Sequence, residues 1–144
     1  MIRIILRFYS FCLYFVASFA FSQHNKNDCP EELSYFAYSL PMDGIDWFVP
    51  IKYQINKPFI DLKIKKESKE ELFIRFKIIE TLKCDFEDIN NSNLKYTVLI
   101  YDEDTDTFGE NQSEIEFKFS NGKGVIFIRH PSSVEIVSEA TVIH

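Results

Sequence analysis

Four glycines in 144 residues leave no loop for cradling phosphates. Such loops bring several backbone N–H groups close to an anion, and glycine is what permits the approach. Two of the four, Gly122 and Gly124, fall in one turn-like stretch, "SNGKG". Histidine is equally sparse. His24 and His144 lie near the two ends of the mature chain proposed below and only His130 is internal, so the usual zinc spacings are missing. There is no C-x-x-C pair for redox chemistry and no G-x-S-x-G for a serine nucleophile. In an acidic chain two carboxylates for glycoside cleavage are always conceivable, but nothing singles out a pair. The expectation is a protein that is not an enzyme.

Positive charge is also short. Sixteen Lys and Arg stand against 22 Asp and Glu, for a formal net charge of −6. Affinity for phosphate backbones comes largely from Lys and Arg, so no nucleic-acid partner is expected, and strong attraction to acidic lipid is disfavoured. Basic proteins and cations suit the balance.

The long apolar run sits at the start, "MIRIILRFYSFCLYFVASFAFSQHNKND". Arg3 and Arg7 precede a stretch, Phe8 to Phe21, that is apolar apart from Ser10 and Ser18. Ala20 and Ser22 then occupy the −3 and −1 positions of a cut before Gln23, which completes the three-part pattern of a secretory signal peptide. A membrane span needs about 20 apolar residues, and this run is shorter and ends in small residues instead of a basic stop. Residues 1–22 are therefore expected to be a cleaved signal, with 23–144 a single β-rich domain whose residues 23–29 form a loose lead-in. The mature protein is expected to be secreted or periplasmic, with no membrane span after cleavage. Loss of Arg3 and Arg7, with no acid lost, takes the charge from −6 to −8. Cys12 leaves as well, which turns three cysteines into the pair Cys29 and Cys84. In an oxidising compartment that pair forms a disulfide, and closing a loop of this length contributes on the order of 4 kcal/mol.

The pattern of the mature chain is mainly of period two. "CPEELSYFAYSLP" is the exception: Leu33, Phe36, Ala37 and Leu40 recur at helical spacing, Pro30 suits a first turn, and Pro41 would stop it. A short N-terminal helix is expected there, with a strand as the alternative. "DWFVPIKYQI" reads as a strand interrupted by Pro50, and "PFIDLKI" alternates cleanly. "ELFIRFKIIETL" carries a capping-box pair, Ser68 and Glu71, yet Leu72, Ile74, Phe76, Ile78 and Leu82 share strand parity, so a strand is expected. "YTVLIY" is apolar on both faces, as in a central strand. "EIEFKF" sets Ile115, Phe117 and Phe119 against Glu114, Glu116 and Lys118. Asn121-Gly122 is a hairpin signal, "VIFIRH" returns from it, and "VEIV" and "ATVIH" add one or two short strands. The fold class is mainly β: an antiparallel β-sandwich or small barrel of six to eight strands.

One stretch proposes definite chemistry. In "LIYDEDTDTFGENQ", Asp102, Asp104 and Asp106 alternate directly after an apolar strand. Hard cations such as Ca²⁺ take six to eight oxygen ligands, and carboxylates at alternate positions of a tight loop can converge on one. The EF-hand pattern fails here, because Thr107 stands where glycine is needed and Ser113 where the bidentate Glu belongs. Asp43 and Asp46 in "PMDGIDW" are the candidates for a second acidic loop. The same cluster also reads as a solvated turn. Trp47 and Phe48, beside a turn, form a possible ligand contact, which Tyr35 and Tyr38 could extend. The rival role for Trp47 is to cover the end of the core. Size, compartment and charge together suggest a small binding protein whose partner is a protein or an extracellular polymer. One concrete form is an inhibitor or immunity-type protein occluding a basic partner's cleft. The alternative is a Ca²⁺-dependent adhesion or surface module that uses the acidic loop 102–110.

Overall fold

The computed structural model describes residues 29–42, 45–65, 71–133 and 135–142, with 40–47 as backbone only. The expected signal peptide and most of the lead-in lie outside the described residues. Within them the chain is all β, in the order β1 (Glu32–Ala37), β2 (Leu40–Met42), β3 (Ile45–Trp47), β4 (Ile51–Asn56), β5 (Phe59–Lys65), β6 (Glu71–Asp88), β7 (Asn91–Asp102), β8 (Thr107–Ser120), β9 (Lys123–Arg129) and β10 (Ile136–Thr141). Eight of these close into an antiparallel barrel, and β2 pairs only with β3. With that hairpin set aside, each barrel strand pairs with the next along the chain, and β10 returns to β1. Of the two expected architectures, sandwich or small barrel, the chain adopts the barrel. Closure removes the unpaired strand edges that an open sheet would present.

The closing seam is short. β1 meets β10 through Phe36–Thr141 and Ala37–Ala140, whereas β1 and β4 run in register from Glu32–Asn56 to Ala37–Ile51. Strands of a closed barrel are staggered as well as tilted. The stagger brings Thr141, whose β9 partner Lys123 follows the Asn121-Gly122 turn, against the far end of β1.

The expected helix over residues 30–41 is not formed; β1 and β2 occupy this stretch. Tyr35 and Ala37 are buried and alternate with outward-facing residues, Phe36 among them. The helical spacing had combined side chains that belong to opposite faces of a strand. What decides the matter is tertiary: β1 is the strand that joins β4 to β10, so pairing on both sides overrides a weak local preference.

β6 follows the expected alternation as far as Ile78 and then departs from it. Ladder irregularities between Ile78 and Glu80 and between Thr81 and Lys83 insert extra residues. Thr81 and Cys84 are thereby set opposite inward-facing Tyr96 and Leu94, while Ile79 and Leu82 are left exposed. Leu82, expected on the core face, is displaced by this count.

The interior is occupied by large side chains. Tyr35, Tyr53, Tyr96 and Phe117 are fully buried, with Ile51, Ile55, Ile60, Leu62, Leu94, Val98, Ile115 and Ile126 around them. Tyr35 stacks on Phe119 at 4.2 Å and on Phe117 at 5.3 Å, and Tyr53 and Tyr96 meet Phe117 edge-on. Buried hydroxyls need partners. Tyr35 pairs with Ser92 Oγ at 3.0 Å and Tyr53 with Ser138 Oγ at 3.3 Å, while the Tyr96 hydroxyl lies 3.8 Å from Cys29 Sγ. Burial pushes the phenols of Tyr53 and Tyr96 up to about 12.

Cys29, just ahead of β1, is disulfide-bonded to Cys84 on β6, with Cα atoms 5.7 Å apart. At the β8–β9 turn Asn121 and Gly122 both take positive φ, 53° and 75°, the backbone that a two-residue hairpin of matching twist requires.

Candidate functional site

β1 and β10 part after two residue pairs, and β2 runs beside β10 from there. An open groove of about 540 Å³ forms on the outside of the barrel at this place. Its walls are the segments just beyond the strand ends, Tyr38-Ser39 and Phe48, and the first residues of β9 with the last of β10. Pro50 lies between β3 and β4, so Phe48 lies in a connection that adds no rung to the barrel. Phe48 is 80% exposed and Tyr38 55% exposed, both beside an apolar wall that includes Val125. Lys123 and Glu139 supply one charge of each sign.

An apolar stripe continues from this groove along the outer face of β9 and β10. Val125 lies opposite Glu139, and Phe127 opposite the exposed Val137. Beyond Val125 the face becomes ionic. Lys118 Nζ and the Arg129 guanidinium cover the Phe127 ring at 5.0 and 4.9 Å. Glu116 receives hydrogen bonds from both, with Arg129 Nη1 at 2.9 Å, and Arg129 also pairs with Glu135. Burial works to raise the Glu116 carboxyl, but the two cations outweigh it and hold the group below its ordinary value. In this network the two cations along the border of the stripe are matched by two carboxylates.

The sequence-derived site residues fall in different places. Phe48 lines the groove, and the side chain of its neighbour Trp47 lies outside the described residues. Tyr38 joins Phe48, whereas Tyr35 is buried in the core. Asp102 ends β7, and Asp104 and Asp106 stand in the exposed turn that follows it. Two of the three carboxylates are engaged locally. Asp102 Oδ1 accepts the Asp104 backbone N–H at 2.9 Å, and Asp106, at φ 52°, accepts the Tyr101 hydroxyl. Among the described residues no three His, Cys, Asp or Glu side chains are grouped as ligands for one ion. Asp43 and the side chain of Asp46, the candidates for a second acidic loop, lie outside the described residues.

His130 follows β9, and its Nδ1 lies 2.8 Å from Ser132 Oγ and accepts the Ser132 backbone N–H at 3.3 Å. A nucleophile–base pair needs a third group that orients the base. Among the described residues no carboxylate bonds His130, and the contact shapes the β9–β10 loop.

Sequence reading missed the β9–β10 contribution to the groove. Lys123, Val125 and Glu139 are an ordinary alternating pattern, and only the barrel stagger sets them beside Tyr38 and Phe48. No protein-family model, curated protein or solved structure matches this chain.

Proposed function

We propose that this protein acts by binding, in a secreted or periplasmic setting, and that it holds a protein partner at the seam groove. The observation that carries the reading is the convergence of Phe48 and Tyr38, two largely exposed rings, on one concave apolar wall. Burying a large apolar side chain contributes about 1.5–3 kcal/mol. Rings set in a groove and surrounded by polar groups are the kind of anchor on which interface energies concentrate. Val125 and the exposed Val137 lengthen that surface, and the ion network that covers Phe127 serves as a polar rim. An inhibitor or immunity-type protein is the concrete form that fits the size and the acid excess.

The test is site-specific cross-linking in the producing cells. A photoreactive amino acid in place of Phe48 or Tyr38 should yield one and the same adduct. The same probe in place of exposed Glu110, near the start of β8 and away from the turn into β9, should not. Adducts of equal yield from all three positions, or from Glu110 alone, would refute the groove as the contact surface. The wild-type association rate should also fall as salt rises if the partner is basic.

A further inference from the structure

The acid excess of the chain is not spread evenly over the barrel, and one outer face carries the opposite sign. Lys52 on β4, Lys63 and Lys65 on β5, and Arg75 and Lys77 on β6 all point outward on three neighbouring strands. Among the described residues of these strands the outward acids on this face are Asp61, which takes Arg75 in a two-pronged hydrogen bond at 2.8 and 2.9 Å, and Glu71, which stands opposite Lys65. Among the described residues Lys52, Lys63 and Lys77 have no carboxylate within ion-pair distance. Lys52 and Lys63 are moreover direct cross-strand partners. Like charges directly opposite are destabilising. The other such pair, Lys83 and Lys95, is relieved by Asp85 at 3.1 Å and Glu114 at 2.8 Å. The pair on β4 and β5 has no such relief among the described residues.

We infer that the outer face of β4–β5–β6 is a second docking surface, and that its occupant is an acidic segment of a polypeptide. Charge complementarity gives the sign of the ligand. The rings on this face narrow its class. Phe36 has Lys52 Nζ over it at 5.8 Å, Phe59 and Phe73 share the Arg75 guanidinium at 4.9 and 5.1 Å, and Phe108 has Lys77 at 5.7 Å. Nucleobases and sugars bind aromatic surfaces by stacking on ring faces, and here each of these rings already holds a cation. An incoming ligand meets ammonium groups backed by rings, which suits carboxylates. Spacing agrees with this. Lys77 lies four residues along β6 from Phe73, the cross-strand partner of Lys63. That is about 13 Å of strand, the separation of carboxylates four residues apart in an extended peptide. The surface stands independently of the seam groove.

The probe is fluorescein-labelled poly-L-glutamate, titrated with the purified protein at low salt and read by anisotropy. Lys52→Glu sets a carboxylate opposite Lys63, so it removes the like-charge pair without threatening the fold. It should weaken binding by about tenfold, since two ammonium contacts are lost together. Lys123→Glu makes the same change of net charge at the groove and should leave binding within about twofold of wild type. Equal losses in the two variants, or none in Lys52→Glu, would overturn the assignment. Tighter, Lys52-dependent binding of a sulfated polysaccharide or a single-stranded oligonucleotide would overturn the ligand class. A dimer in sedimentation that Lys52→Glu abolishes would replace the foreign acidic segment with a second copy of this chain.

Discussion

Gly124 is a residue whose replacement by the smallest possible step, Gly124→Ala, should be felt through the whole seam half of the barrel. It stands opposite Phe119 on the β8–β9 ladder. A Cβ at this position would overlap the Lys118 carbonyl oxygen and meet the Phe119 ring at 2.7 and 2.8 Å. The ring cannot retreat freely, because Tyr35 is stacked on it at 4.2 Å and is itself held against Phe117 at 5.3 Å. Overpacking of this kind costs about 1–3 kcal/mol, and disturbing the aromatic stack adds about 0.5–1.5 kcal/mol. The gain from a stiffer unfolded chain returns only about 0.4–1 kcal/mol. The net expectation is a loss of about 2–3 kcal/mol, a midpoint lower by about 10 °C for a domain of this size. Urea and thermal unfolding of the two proteins measure it. A double-mutant cycle with Phe119→Leu should show coupling of about 1 kcal/mol, because the shorter side chain vacates part of the contested space. Gly124→Ala as stable as wild type would refute the close-packing argument, and zero coupling would remove Phe119 from it.

Three further outcomes are expected. Replacing Cys84 by Ser opens a closure between residues 55 apart in sequence and should cost about 4 kcal/mol in the chain-entropy treatment; the mass of a purified 23–144 chain, which lacks Cys12, should not rise on alkylation without reductant. Unfolded tyrosines ionise near 10, while Tyr53 and Tyr96 are held up to about 12 by burial. The folded state keeps protons that the unfolded state releases, so their contribution is full below about pH 10 and is lost as pH rises through about 12. Tyrosinate absorbance should therefore show these two phenols titrating only with unfolding, and their ionisation near 10 in the native protein would refute the sign. Thermal melts in millimolar Ca²⁺ and in EDTA should coincide, because the Asp102 and Asp106 carboxylates are engaged within their own turn; a Ca²⁺-dependent rise that Asp104→Ala abolishes would revive the cation site.

Most of the strands were legible because their alternation records burial directly. Ile115, Phe117 and Phe119 face the core, and Glu114, Glu116 and Lys118 face out, as the spacing alone indicates. The Asn121-Gly122 turn was equally plain, since few residue pairs tolerate two positive φ angles in succession. The disulfide pairing followed from arithmetic, and the structure joins Cys29 to Cys84. β1 was misread because Leu33, Phe36, Ala37 and Leu40 fit a helical spacing by chance, and no local signal reports that a strand is needed to close a sheet. The fate of Leu82 was hidden by bulges, whose position depends on how β6 must coil against β7.

Charge and periodicity were therefore settled by the sequence, because each is a sum or a repeat along the chain. Closure, register and the two candidate surfaces were settled only by tertiary structure. The groove exists because barrel stagger carries the end of β10 to the far end of β1, beside Tyr38 and Phe48. The cationic face exists because Lys52, Lys63, Arg75 and Lys77, dispersed among acids in the sequence, become neighbours across ladders. Pairing between strands decides which side chains share a surface, and that depends on contacts between residues far apart in the chain.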